Sequence, residues 1–141
     1  MPALGTITGV INRFRSDLVR PQVAQVILTC TGSVDDGSFP ITVWTGLSGI
    51  AVYDLRGLRL HDVKVIAGTT GPTNLSNMTI TDSYGVDLLD GAGLLFIPNS
   101  GSAWTNLIFL PAIITGDTSI TITGNLVHSA VITVVLDLIG I

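Results

Sequence analysis

The sequence predicts an all-β protein, a single antiparallel β-sandwich with jelly-roll or immunoglobulin-like wiring. Three observations predict it. Thr, Val and Ile are abundant, while glutamate is absent and lysine occurs once; β-branched residues favour strands, and helix formers such as Glu, Lys and Gln are scarce. The 16 glycines fall between apolar runs, as turns fall between short strands. Several runs also alternate apolar and polar residues with a period of two, which places the apolar ones on one face of a strand.

In chain order, residues 5–11 open with the β-branched run Thr6-Ile-Thr8 and continue through Val10-Ile11. Residues 22–31 follow Pro21, which also stops the helical turn offered by Asp17-Leu-Val-Arg. The turn Asp35-Asp-Gly37 precedes a strand at 40–45, which contains Trp44 as an expected core or sheet-face residue. Strands are expected next at 49–54 and 58–67. The loop Gly68-Thr-Thr-Gly-Pro-Thr-Asn74 then divides two sheets and is too short for a domain linker. Residues 77–81 alternate as Asn-Met-Thr-Ile-Thr, and Asp82-Ser-Tyr-Gly85 turns the chain into strands at 86–89 and 94–97. Strands at 105–110 and 118–123 follow, the latter with Ile120 and Ile122 on one face and threonines on the other. The last, 130–138, is apolar on both faces, as in a central strand or one covered by a neighbouring subunit. Residues 1–21 are set apart as an N-terminal arm or edge segment, and 22–141 form the sandwich domain. No repeat of 20–50 residues recurs, which argues against a solenoid or propeller.

Charge narrows the function. Only 11% of the chain is charged, against about a quarter in an ordinary domain, and 47% is hydrophobic. All six cations (Arg13, Arg15, Arg20, Arg56, Arg59 and Lys64) lie at or before residue 64, and only five aspartates follow. A net charge of −4 argues against nucleic-acid binding, which depends on pairing Lys and Arg with phosphates. No apolar run reaches the roughly 18 residues that cross a bilayer, so no membrane partner is expected. The N-terminal Met1-Pro-Ala-Leu-Gly-Thr6 lacks the order of a secretion signal, which predicts synthesis in a cytoplasm. Such a chain either clothes itself in Thr, Ser, Asn and Gly or hides much of its outside against neighbours, as charge-poor obligate interfaces do, and it is read as a building block of an assembly.

Candidate chemistry is thin. Asp82, Asp87 and Asp90 crowd two glycine turns, where carboxylates converge on calcium in other proteins. The EF-hand order is missing, and the plainer expectation is a strand–turn–strand corner with Asp82 capping and Gly85 at positive φ. His61 and His128 lack the third ligand of a metal site. Cys30, the only cysteine, excludes an internal disulfide and reads as a small buried hydrophobe. Gly46-Leu-Ser-Gly49 misses the hydrolase elbow by one position. With no glutamate as general acid, no pair of carboxylates is singled out for glycoside chemistry. The sequons at Asn74 and Asn77 have no secretion signal beside them. No catalytic residue, metal or cofactor is therefore expected, and the protein is read as non-enzymatic. The interface candidates are Arg13, Arg15 and Arg20 in the N-terminal segment, Trp104 in a polar loop, and Ile132 and Val134 in the last strand.

Several features carry a resemblance: the Gly71-Pro-Thr73 loop, Thr79-Ile-Thr-Asp82 with Gly85-Val-Asp-Leu-Leu89, Gly91-Ala-Gly93, and the closing Leu126–Leu136 segment. Over residues 47–136 the chain resembles small β-rich structural proteins of tailed bacteriophages. It is more apolar than such proteins at Leu94-Leu-Phe-Ile97. The resemblance implies a virion role and no catalytic residues. Expected, therefore, is a capsid decoration or cement subunit that contacts copies of itself (as a homo-oligomer such as a trimer) and other virion proteins such as the major capsid protein. A head–tail connector or tail component has the same properties. From a different class, a carbohydrate- or receptor-binding sandwich of a tail fibre or spike would draw on Trp104, Asn99 and Asn106.

Overall fold

A computed structural model describes residues 4–15, 21–107 and 112–140. Within them lie eight strands: β1 (Thr6–Arg15), β2 (Pro21–Thr31), β3 (Thr42–Val43), β4 (Arg59–Ala67), β5 (Asn77–Thr81), β6 (Ser102–Asn106), β7 (Ser119–Thr123) and β8 (Val131–Ile139). They form two antiparallel sheets, ordered β1-β2-β8-β4-β6 and β3-β7-β5. The protein is an all-β sandwich, as its alternation and turn chemistry predict.

The strand order decides between the two expected wirings. From β2 to β8 every successive strand lies in the opposite sheet, and the chain's two ends meet where β8 inserts between β2 and β4. That alternation is the jelly roll. An immunoglobulin sandwich keeps several consecutive strands within one sheet. A jelly roll has four strands in each sheet, and here the smaller sheet has three. The segment after β5 takes the fourth place without becoming a strand: Leu88 N–H donates to the Ile80 carbonyl, Met78 N–H to that of Gly93, and Ile97 N–H to that of Ser76. It covers the free edge of β5, which would otherwise invite pairing with another chain.

Residues 86–89 and 94–97 are thus turns with single bridges at Asp87 and Ile97, where strands were expected. The cause is local. Asp82 Oδ1 accepts N–H bonds from Tyr84 (2.9 Å) and Val86 (3.0 Å), and Asp87 Oδ1 accepts from Ile80 (3.2 Å) and Leu89 (3.1 Å). Side chains that claim backbone donors in this way compete with a ladder. Residues 49–54 also fail as a strand. Val52–Leu55 forms one helical turn between Gly49 (φ 86°) and Gly57 (φ 88°), with Leu55 fully buried. The expected strand at 40–45 keeps only β3, because Trp44–Gly46 closes into a 3-10 turn. The proposed helical turn at 17–21 lies outside the described residues, apart from Pro21, which begins β2.

The core lies between the sheets. β2 contributes Val26, Leu28 and Cys30, β4 Val63 and Val65, and β8 Ile132, Val134, Leu136 and Leu138; Met78, Ile80, Ile120 and Ile122 face them from the smaller sheet. Trp44 is fully buried. Cys30 is buried as well, and desolvation pushes its thiol up to about 12, so it packs as a hydrophobe. Gly93 is required where it stands, since a Cβ there would run into the Met78 carbonyl.

A candidate protein-docking face

β8 is central in the larger sheet, but only one of its faces meets the core, and its burial alternates residue by residue. Ile132 and Val134 point inward and are fully buried. They are core residues, and the sequence-based choice of them as interface residues is corrected accordingly: the one-residue offset of a strand moved the outward set to Val131, Thr133, Val135, Asp137 and Ile139.

The register of the neighbouring strands extends these residues into rows across the sheet. One row runs Val10, Ile27, Val135, Lys64, Trp104 from β1 to β6. The row on one side is Thr8, Thr29, Thr133, Ile66, Ser102, and on the other Asn12, Gln25, Asp137, Asp62, Asn106. Val23 and Ile139 are paired beyond the last. Val10 is 61% exposed, Trp104 59% and Ile66 38%. Three rows deep and five strands wide, the face holds seven β-branched residues among its fifteen, and its charges are Lys64, Asp62 and Asp137 on the neighbouring strands β4 and β8.

Trp104 lies within β6, where sequence reading had placed it in a polar loop. Its indole Nε1 donates to Asp62 Oδ2 at 3.2 Å, which holds the ring against the sheet while leaving it exposed. Asp62 and Asp137 are registered partners on adjacent strands, an arrangement unfavourable for two like charges. Gln25 Nε2 donates to Asp137 Oδ1 at 3.0 Å, and His61 Nδ1 stands 3.5 Å from Asp62 Oδ2. Asp62 Oδ1 is buried and has no partner among the described residues. Desolvation first, and then the adjacent Asp62 carboxyl, hold the Asp137 carboxyl above its ordinary value; the Gln25 bond and His61 pull it back.

The other sequence candidates lie elsewhere. Arg13 is exposed on β1, Arg15 ends that strand, and Arg20 lies outside the described residues. The aspartates at 82 and 87 direct their oxygens at their own turns, Asp87 Oδ2 also accepting from Gly91 N–H at 3.0 Å. Asp90 is exposed at φ 48°. Among the described residues no group of three or more His, Cys and Asp side chains is placed to hold a metal ion. A shallow cleft at the β7 end of the smaller sheet is lined by Ser38, Phe39, Ile41, Thr121, Ile122 and Asn125, none of them an acid or base at neutral pH. No helix among the described residues is long and apolar enough to cross a membrane.

Sequence reasoning missed Val10, Ile27, Ile66, Asp62 and Asp137 as members of one face. The two-sided apolarity of 130–138 was the available signal. The strands flanking it come from distant parts of the chain, and their register is set only by the fold.

No protein-family model matches the chain, and no curated protein matches it. Among solved structures it is similar to a chain of the cyanophage Pam1 capsid asymmetric unit, at 16% identity and a TM-score of 0.35, over 99% of this chain and 87% of that one. At that score the likeness decides neither fold nor role.

Proposed function

We propose that this chain is a non-enzymatic structural subunit of a bacteriophage virion, a capsid decoration or cement protein whose assembly depends on the outward face of its five-stranded sheet. The observation that carries the reading is the face itself: Val10, Val23 and Ile66 are exposed on it, and an exposed tryptophan stands at its edge. Exposed apolar side chains gathered on one sheet face support an interaction site, and an aromatic side chain is a usual anchor of one. The jelly roll hosts viral capsid domains, lectins and cupins alike, so fold class supports the reading only by analogy. The phage-protein resemblance of residues 47–136 points the same way.

The test is quantitative mass spectrometry of purified particles, with heads and tails separated. The expected outcome is the chain in stoichiometric copies on heads, lost when Val135→Lys places a charge mid-face. Recovery with tails would move it to a connector or tail position. Absence from particles, together with glycan-array binding by the isolated protein, would replace the reading with carbohydrate recognition centred on Trp104.

A further inference from the structure

The outward face has a second property, which concerns what covers it. Its rows are matched to themselves under a two-fold axis lying along β8, the middle strand. Such an axis lays β1 of one copy over β6 of the other and β2 over β4, while each row stays on itself. Trp104 then covers Val10 of the second copy, Val135 meets Val135, and the alkyl stem of Lys64 lies on Ile27. In the polar row Asn106 meets Asn12 and Asp62 meets Gln25, so amide donors arrive where carboxylate oxygens need them. Aligned sheets pack face to face about 10 Å apart, and two-fold pairing is the commonest form of self-association.

The size fits. The five residues of β6 limit the overlap at both edges, and strands about 4.8 Å apart with about 3.3 Å per residue give roughly 600 Å², against the ~800 Å² that each partner buries in a standard interface and the ~500 Å² a side that a specific one must clear. One feature opposes closure at neutral pH. The axis runs through Asp137, so two carboxylates, each already beside Asp62, come together in a space from which water is expelled. Charges so placed oppose closure unless they are neutralised. A proton on Asp137 removes the repulsion and supplies a donor beside Asp62 Oδ1, the buried oxygen with no partner among the described residues.

We infer that the five-stranded face pairs with the same face of a second copy, about a two-fold axis along β8, and that each copy takes up a proton at Asp137 as the face closes. Among the described residues the titratable groups that act on Asp137 come from β4: Asp62, its registered partner, and His61; Lys64 and Arg59 stand further along that strand, registered to Val135 and Ile139. β2 offers the neutral Gln25, and β6 offers Trp104 and Asn106 behind Asp62. This inference rests on the docking reading of the same face and names the occupant.

Sedimentation velocity of the full chain between pH 7.5 and pH 5.5 tests it. Dimerisation is expected to tighten about tenfold or more over that range, the sign required when association binds protons. Asp137→Asn should dimerise at pH 7.5 and lose the pH dependence. Asp117→Asn, which removes an exposed carboxylate away from the face, should behave as wild type and so controls for the change in net charge. Val135→Lys should be monomeric at both pH values with an unchanged far-ultraviolet dichroism spectrum; Trp104→Ala, at the exposed edge, serves if the lysine variant fails to fold. A wild type monomeric throughout, or an Asp137→Asn variant that keeps the wild-type pH dependence, would overturn the inference. Its failure is separable from that of the virion reading: monomers that still enter particles through Val135 leave docking to another protein in place, whereas dimers absent from particles sink the virion role alone.

Discussion

Asp137 is the only charged residue on β8. Because its carboxyl is held above the ordinary value, the folded state binds a proton more readily than the unfolded chain, where the value is about 3.9. Its contribution to stability therefore grows as pH falls from the raised folded-state value towards the unfolded one, and is lost as pH rises through the folded value. Asp137→Asn should raise the thermal midpoint at pH 7.5 and flatten the slope of stability against pH in that window; a lower midpoint at pH 7.5 would show that the Asp62 pairing is not strained. Asp87 is the opposite case. Its two oxygens accept backbone N–H bonds from Ile80, Leu89 and Gly91, so Asp87→Ala leaves three donors without their acceptor. A loss of about 2 kcal/mol in urea unfolding is expected, with Asp87→Asn losing less. The sequence showed an acidic turn at this point, with Asp82 as its cap and Gly85 at positive φ, and both are found. It did not show which amides Asp87 would take, because Ile80 and Gly91 lie on opposite sides of it and only folding brings both within reach.

At the scale of elements, alternation was the most legible signal and pairing the least. β5 and β7 alternate in sequence and in burial alike. β8 does not alternate in hydrophobicity, and so its inward residues had to come from the structure. The consequence is a one-residue contrast. Val134→Lys buries an amine among Val65, Leu28 and their neighbours, and should abolish the cooperative unfolding transition or lower its midpoint steeply, since an unpaired buried lysine costs several of the 5–15 kcal/mol that hold a domain together. Val135→Lys turns the same charge outward and should fold, with a midpoint near that of wild type in urea. If both variants keep a midpoint near that of wild type or both fail, the register assigned to β8 is wrong. The segment from Asp82 to Leu95 failed as strands for a reason no periodicity contains: its apolar residues follow the β pattern, but its aspartates bind the backbone first.

At the scale of the whole molecule, the jelly roll is complete without its first strand. β2, β8, β4 and β6 oppose β3, β7 and the covered edge of β5, while β1 adds a fifth strand along the outer edge of β2. Among the side chains described, β1 brings one buried hydrophobe, Ile7, and the partly buried Ile11 to the core, worth about 3–5 kcal/mol together at the usual 1.5–3 per fully buried aliphatic side chain. That is less than the 5–15 kcal/mol a domain holds in reserve. A chain of residues 22–141 should therefore keep a cooperative thermal transition at a lower midpoint. Its association should change more than its fold. Val10 is removed from beneath Trp104 of the second copy, and the unpaired N–H and C=O groups of β2 are left open to any other strand. Concentration-dependent light scattering should then show open-ended association in place of a dimer, growing with temperature and insensitive to the Asp137→Asn change. A truncated chain without a cooperative transition would make β1 part of the folding unit, and a truncated chain that still forms a discrete dimer with wild-type pH dependence would mean that the β1 edge takes no part in the face.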